Sequence, residues 1–267
     1  MIEELNSSEF KKVNDIFTDN NPHLPVFSII SGNHPGRIFV DNRNGPQAAI
    51  AWAIGRWAYI DGRTDNTGFN LSIPEFINKI VIPDSKKMEM DWFELYLCGN
   101  PMWKRIIDRS VKRFDSGKHF ESVYIWDRKK YSRFRSDYRF PADVSVKISD
   151  VPLLSEKAQA SSFVSEKFRD KTTFGFRVLS KKEELTLCCS TGFEVGRKFM
   201  VDIITHDPNH RGKGYATMAA VALLNFSLEN NLEPLWETAE DNIGSQRLAE
   251  KLGFVKNQTY PVFTVEF

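Results

Sequence analysis

The run Thr205–Ala220, THDPNHRGKGYATMAA, overlaps the end of the apolar segment FMVDIIT and leads into a stretch rich in small residues. Arg211, Gly212, Lys213 and Gly214 stand where a strand is expected to end and a helix to begin. A helix start leaves backbone N–H groups unpaired and carries partial positive charge. Glycine there removes the side-chain bulk that would hold an anion away from the backbone. The junction therefore predicts an anion site, with phosphate, and pyrophosphate better still, as its guest.

Working outward, the second half reads as an orderly series. VSVKIS is expected as a strand, VPLLSEKAQASSFVSEKFRD as one or two helices, and TFGFRVLS, ELTLCCS and KFMVDIIT as three strands separated by turn residues. KGYATMAAVALLNFSLEN follows as a helix, EPLWETA as a strand, IGSQRLAEKL as a helix and YPVFTVEF as a closing strand. Three consecutive strands and then β–α–β predict a mixed, mostly antiparallel sheet flanked by helices, an α/β (α+β) fold.

Three phosphate-binding loops compete for the junction. The string G-x-x-x-x-G-K-[ST] of nucleotide hydrolases is absent from the sequence. A dinucleotide fingerprint finds two of its glycines in Gly212 and Gly214 and an acid in Glu237, but Thr217 stands where the third glycine belongs, and only 30 residues follow Glu237. The third candidate is a family. THDPNHRGKGYAT resembles the acyl-CoA signature [QR]-x-x-G-x-[GA] of the GNAT superfamily of N-acetyltransferases, matched by Arg211, Gly214 and Ala216. DNIGSQRLAEKLGF resembles the same family's fourth helix through Asn242, Ser245, Leu248 and Gly253-Phe254, and the strand order agrees. Within the family, the second half is most similar to the subgroup of the zwittermicin-resistance acetyltransferase.

That resemblance implies an acetyl-CoA-dependent transfer to the amine of a small molecule. It implies that pantetheine lies along the backbone of Ile204, Thr205 and His206, and that pyrophosphate rests on N–H groups from Gly212 through Lys213, Gly214, Tyr215 and Ala216 to Thr217, with Arg211 and Lys213 adding charge. Asn242 and Ser245 match cofactor-side positions; a plain N-cap is the alternative for Asn242. Asp202 and Glu237 are the candidate bases. The tyrosine that often protonates the leaving thiolate is replaced here by Ala249, which leaves Tyr260 as a weak substitute. A non-catalytic acyl-CoA-binding or sensing protein is the alternative reading.

The rest of the chain sets bounds. Its 267 residues favour two domains, and 41% hydrophobic with 27% charged residues supports a buried core. A net charge of +1 gives no general reason to bind nucleic acid or an acidic membrane. Cys98, Cys188 and Cys189 form no disulfide framework, and five scattered histidines supply no metal spacing, so no metal is expected. MIEELNSSEFKK is unlike a signal peptide, and no apolar run approaches the roughly 20 residues of a membrane span. The expected setting is cytoplasmic. In the first half, SSEFKKVNDIFTDN predicts a helix ending at Asn20, and PVFSII, GRIFVD, QAAIAWAI and RWAYID predict strands of an antiparallel sheet. SIPEFINKIVI is expected as a helix, WFELYLC as a strand, NPMWKRIIDRSVKRF as a helix and ESVYIWD as a strand. RKKYSRFRSDYRFPAD, residues 128–143, is basic and aromatic; it is expected as a strand and linker, with single-stranded RNA as the sharper alternative. A boundary near residue 140 separates 1–140, a domain for acceptor recognition, a lid or dimerisation, from 141–267, the acyl-CoA-binding domain. The first half repeats strand, helix, strand near its end, so a degenerate second copy is one reading, and a homodimer is an open option.

Overall fold

The computed structural model describes residues 2–17, 23–53, 56–98, 100–141, 144–160, 164–180 and 183–267. The expected helix end at Asn20 lies outside them. The elements are β1 (Glu3–Glu4), a 3-10 turn (Ser7–Val13), α1 (Leu24–Ile30), β2 (Arg37–Val40), β3 (Ala48–Ala53), β4 (Trp57–Gly62), α2 (Thr67–Phe76), a π turn (Ile77–Val81), α3 (Ile82–Lys87), β5 (Trp92–Leu97), α4 (Met102–Val111) and β6 (Asp115–Trp126). They continue with α5 (Arg128–Asp137), β7 (Ser145–Pro152), α6 (Glu156–Ala160), a 3-10 turn (Glu166–Phe168), β8 (Thr172–Ser180), β9 (Glu183–Val195), β10 (Lys198–Ile204), a 3-10 turn (Pro208–His210), α7 (Tyr215–Glu229), β11 (Glu233–Ala239), α8 (Ile243–Lys251) and β12 (Phe254–Glu266).

The order is a repeat. With α2, the π turn and α3 taken as one helical run, and the 3-10 turn Pro208–His210 counted with the loop before α7, β1 to β6 and β7 to β12 both run strand, two short helical segments, three strands, helix, strand, helix, strand. The pairings repeat as well: β1/β2, β2/β3 and β3/β4 are antiparallel and β4/β5 parallel, as β7/β8, β8/β9 and β9/β10 are antiparallel and β10/β11 parallel. The second-copy reading of the first half thus has its counterpart in the topology.

Two compact units result, and they are not divided at residue 140. One comprises Met1–Phe120, Leu154–Arg169 and Tyr260–Phe267; the other comprises Glu121–Leu153 and Asp170–Thr259. The halves exchange segments: β6, closing the first half, pairs with β11 through Glu121–Ile125, and the end of β12, closing the second, pairs with β5 through Val262–Glu266. Single-sequence patterns identify strands but not partners distant in the chain, which is why the expected boundary fails.

In the first unit, Phe69, Ile73, Trp103 and Ile107 of α2 and α4 pack with Trp52, Ile60, Phe93 and Leu95 of the sheet. α1, expected as a strand, is a helix with Pro25 in its first turn. Leu24, Pro25, Val26, Ser28, Ile29 and Ile30 are all buried, so no amphipathic period marks it. In the second unit α5, α7 and α8 cover one sheet face, where Tyr131, Met218, Leu224 and Ala249 meet Trp236, Phe199 and Val201. α5 corrects the strand-and-linker expectation for 128–143. The Asp127 carboxylate accepts from the N–H groups of Lys129 (2.9 Å) and Lys130 (3.2 Å), starting a helix whose Tyr131 is buried. β12 runs unbroken from Phe254 to Glu266 through Pro261, beginning six residues before the expected closing strand.

Candidate acyl-transfer site

The strand, loop and helix expected around Arg211–Gly214 form where the residues dictate. After β10, Asp207 caps a short turn by accepting from Asn209 N–H at 2.8 Å, and the chain then passes through Arg211 to Gly214, all exposed, before α7 begins. Gly212 holds φ +75° and Gly214 φ +87°, conformations that L side chains rarely adopt. A Cβ added at either would meet nothing within 4 Å. The approach to the start of the 15-residue α7 is therefore uncrowded at both glycines, and a helix start leaves N–H groups unpaired, which fits a phosphorylated cosubstrate. Tyr215 and Ala216 are half-buried in the first turn, and buried Thr217 accepts a bond from Lys251 Nζ at 3.5 Å.

Beside this junction two strands part. The pairing of β10 with β11 covers Lys198–Met200 against Glu233–Leu235, although β10 continues to Ile204 and β11 to Ala239. Each strand stays anchored on its far side: β10 pairs with β9 as far as Ile204↔Leu187, and β11 with β6 as far as Ala239↔Glu121. The backbone of Ile203 and Ile204 thus borders an opening that ends at the glycine loop. In the first unit, by contrast, β4 and β5 pair from Trp57↔Glu94 to Ile60↔Leu97, and Cys98 N–H donates on to Ile60 O at 3.1 Å. There the helix start is closed by the Asn66 side chain, which accepts from Phe69 N–H at 3.0 Å. One copy is open and the other shut.

Asp202 and Glu237 flank the opening. Met200 and Leu235 are register partners on one face, so Asp202 and Glu237, two residues farther along each strand, share that face, opposite core-facing Val201 and Trp236. Asp202 is exposed and Glu237 half-buried. Thr205 Oγ1 lies 2.9 Å from Thr186 Oγ1, and His206 Nε2 lies 3.0 Å from Glu184 Oε1. Burial raises the Glu184 carboxyl, but Arg177 and His206 outweigh it and hold it below the ordinary carboxylate value. Burial pushes the Cys189 thiol up to about 12 and the Cys188 thiol well above its ordinary value, with Asp202 adding to both, so neither supplies a thiolate.

Several expected site residues have structural duties. Asn242 is the N-cap of α8, its side chain accepting from Ser245 N–H at 3.1 Å, and Ser245 Oγ accepts from Trp236 Nε1 at 3.0 Å. Ala249 is wholly buried in the core. Tyr260 belongs to the first unit, where its ring stands edge-on to His23 at 4.6 Å between centroids. One residue escaped the sequence reading: Lys251, on the last turn of α8, reaches the first turn of α7. Its only signal was a cation two residues before Gly253, which spacing alone does not connect to Thr217.

The parted strands, the glycine-flanked helix start and the duplicated topology define an acyltransferase of the GNAT type. The chain belongs to the GNAT acetyltransferase family, whose model matches residues 14–263 and so extends into the first half, where no signature was visible. It is similar to an uncharacterized N-acetyltransferase, YdfB, of Bacillus subtilis (strain 168), with 23% identity over 269 residues covering 98% of each chain. Its fold resembles a GCN5-related N-acetyltransferase-like protein from Streptococcus suis 89/1591 (TM-score 0.67, 20% identity, 97% of this chain and 99% of that one). It also resembles a tandem GNAT protein from the clavulanic acid biosynthesis pathway (TM-score 0.59, 13% identity, 100% of this chain and 98% of that one). These matches carry the superfamily and not the zwittermicin-resistance subgroup. Among the described residues no helix is long and apolar enough to cross a membrane.

Proposed function

We propose that the protein transfers an acetyl group from acetyl-CoA to the amine of a small molecule, in one site built on the second unit. The observation that carries this reading is the parting of β10 from β11 beside the glycine-flanked start of α7. Pantetheine would lie along Ile204, Thr205 and His206, and pyrophosphate would rest on the N–H groups from Gly212 to Thr217. Backbone N–H of the parted β10 strand would polarise the thioester carbonyl oxygen. The amine nitrogen bonds to the carbonyl carbon, the carbon–sulfur bond breaks, and the amine's surplus proton passes to Asp202 or Glu237, directly or through water. With Ala249 in the core, water protonates the departing thiolate. Burial raises the Cys188 and Cys189 thiols, which supports direct transfer over a thioester on either of them.

Incubation with acetyl-CoA and a panel of small amines should release free CoA with at least one of them. Asp202→Asn or Glu237→Gln should lower kcat/KM for that amine by about 100-fold. Binding of acetyl-CoA without turnover of any amine would favour the alternative, a non-catalytic acyl-CoA sensor, for which the buried Ala249 is the specific observation.

A further inference from the structure

In the first unit, α4 packs by one face and leaves the other without a duty. Trp103, Ile107, Ser110 and Val111 are buried, so the helical period turns Arg105, Arg109 and the C-cap Lys112, at i, i+4 and i+7, to the opposite face. All three are exposed, and no hydrogen bond, ion pair or ring contact involves them among the described residues. The acids of the two neighbouring helices are already matched: Asp108 lies 3.6 Å from Lys104, and Glu75 of α2 lies 2.5 Å from Lys79. Three cations in a row are left without an acidic partner.

α2 lies in the same layer. Phe69 stands edge-on to Trp103 at 6.1 Å between centroids, and the Arg113 guanidinium donates to Pro74 O, so the two helices run side by side in one direction. Phe69, Ile73 and Phe76 face the core, which turns Leu71 straight outward, where it is 76% exposed. Met102, one turn before Arg105, is 51% exposed. Singly, an exposed aliphatic side chain or a solvated cation asks for no partner. Protruding aliphatic side chains beside a row of unpaired cations match an anionic bilayer: headgroups meet the cations, and the acyl boundary takes the aliphatic tips. A nucleic acid would meet the cations but leave Leu71 and Met102 against phosphate and water, and the aromatic rings of α2 and α4, Phe69, Phe76 and Trp103, are buried and closed to a base.

We propose that the outer face of α2 and α4 docks peripherally on anionic phospholipid, with Arg105, Arg109 and Lys112 on the headgroups and Leu71 and Met102 at the acyl boundary. The whole-chain charge of +1 gave no sign of this, because the attraction comes from a local row and not from the net balance. The inference stands apart from the acyl-transfer reading, since it uses no residue assigned to cosubstrate or acceptor. Exposed charges meeting headgroups are screened by salt, so the docking weakens as ionic strength rises.

The test is co-sedimentation of the full-length protein with two kinds of vesicle, phosphatidylcholine alone and an equal mixture of phosphatidylcholine and phosphatidylglycerol. At low salt, wild type should partition onto the mixed vesicles and stay in solution with phosphatidylcholine alone. Each cation at the surface contributes roughly fivefold to partitioning, so Arg105→Gln/Arg109→Gln/Lys112→Gln should lower it about 100-fold. Leu71→Ser, which leaves every charge in place, should lower it severalfold. All of these positions are exposed, and thermal unfolding checks that the variants fold as wild type does. Absence of wild type from the mixed vesicles, equal binding to the two kinds, or full binding by the triple variant would overturn the proposal. Where the triple variant does not fold, undiminished binding by Leu71→Ser, or by wild type at high salt, would overturn it. Binding of a duplex oligonucleotide that the triple variant loses, with no binding of wild type to vesicles, would overturn it in favour of nucleic acid.

Discussion

Asn242 illustrates how one residue answers to two readings. Its side chain caps α8 through Ser245 N–H, and capping is a sufficient reason for an asparagine there. Asn242→Ala should lower the unfolding free energy by about 1 kcal/mol, measured by urea titration. If acetyl-CoA affinity is unchanged in the same variant, its role is the cap. His23 sets a second test. It is 2% exposed, neither ring nitrogen has a hydrogen-bond partner, and the rings of Tyr59, Tyr96 and Tyr260 surround it. Burial lowers its pKa from 6.5 to about 3. The folded protein therefore holds His23 neutral while the unfolded chain takes up a proton as pH falls below 6.5, so stability from this group is present above that value and is lost on acidification down to about 3. Between pH 7 and pH 5 the loss should be about 2 kcal/mol, and His23→Leu should remove that part of the slope in urea titrations at the two pH values.

At the scale of elements, legibility followed chemistry that is local in the chain. The strand–loop–helix from Phe199 to Glu229 and the capped helix after Asn242 were readable because caps, glycines and apolar runs sit within a few residues of one another. α1 was misread because a helix buried on all sides has no polar face to set its period. α5 was misread because its cations dominate the composition, whereas Asp127 and Tyr131, which make it a docked helix, are two residues among many. Gly253 shows what that docking demands. It holds φ +86°, its carbonyl accepts from Asp127 N–H at 3.0 Å, and a Cβ there would stand 2.5 Å from Tyr131 N. The Gly-Phe pair that carried the resemblance is thus explained by the seat of α5. Gly253→Ala should cost about 3 kcal/mol in urea unfolding, from overpacking and left-handed strain together. A loss within the error of the measurement would mean that α5 is not seated on this glycine.

At the scale of the molecule, the duplicated fold was legible only as an option, and the segment exchange was not legible at all. Strand partners such as β6 with β11 are separated by more than a hundred residues, and nothing in either strand names the other. The exchange has a consequence for dissection. A fragment of residues 141–267 keeps every motif of the family but loses β6, the neighbour of β11, and α5, whose Tyr131 is buried in the second unit's core. Circular dichroism of that fragment should show it unfolded, with no cooperative thermal transition. The duplication also has a division of labour in its geometry: the strands that part in one copy stay paired in the other, and the helix start that lies open at Gly214 is capped at Asn66.

The central claim is that the open copy holds acetyl-CoA at the junction of β10 and α7. The most direct measurement is calorimetric titration of acetyl-CoA into wild type and Gly214→Trp, which would fill the space in front of the α7 N–H groups. The account predicts one site per chain with micromolar affinity in wild type and no measurable binding in a Gly214→Trp protein whose circular dichroism is unchanged, on the order of a hundredfold loss or more. Equal binding by the two proteins would contradict it, and so would no binding by either.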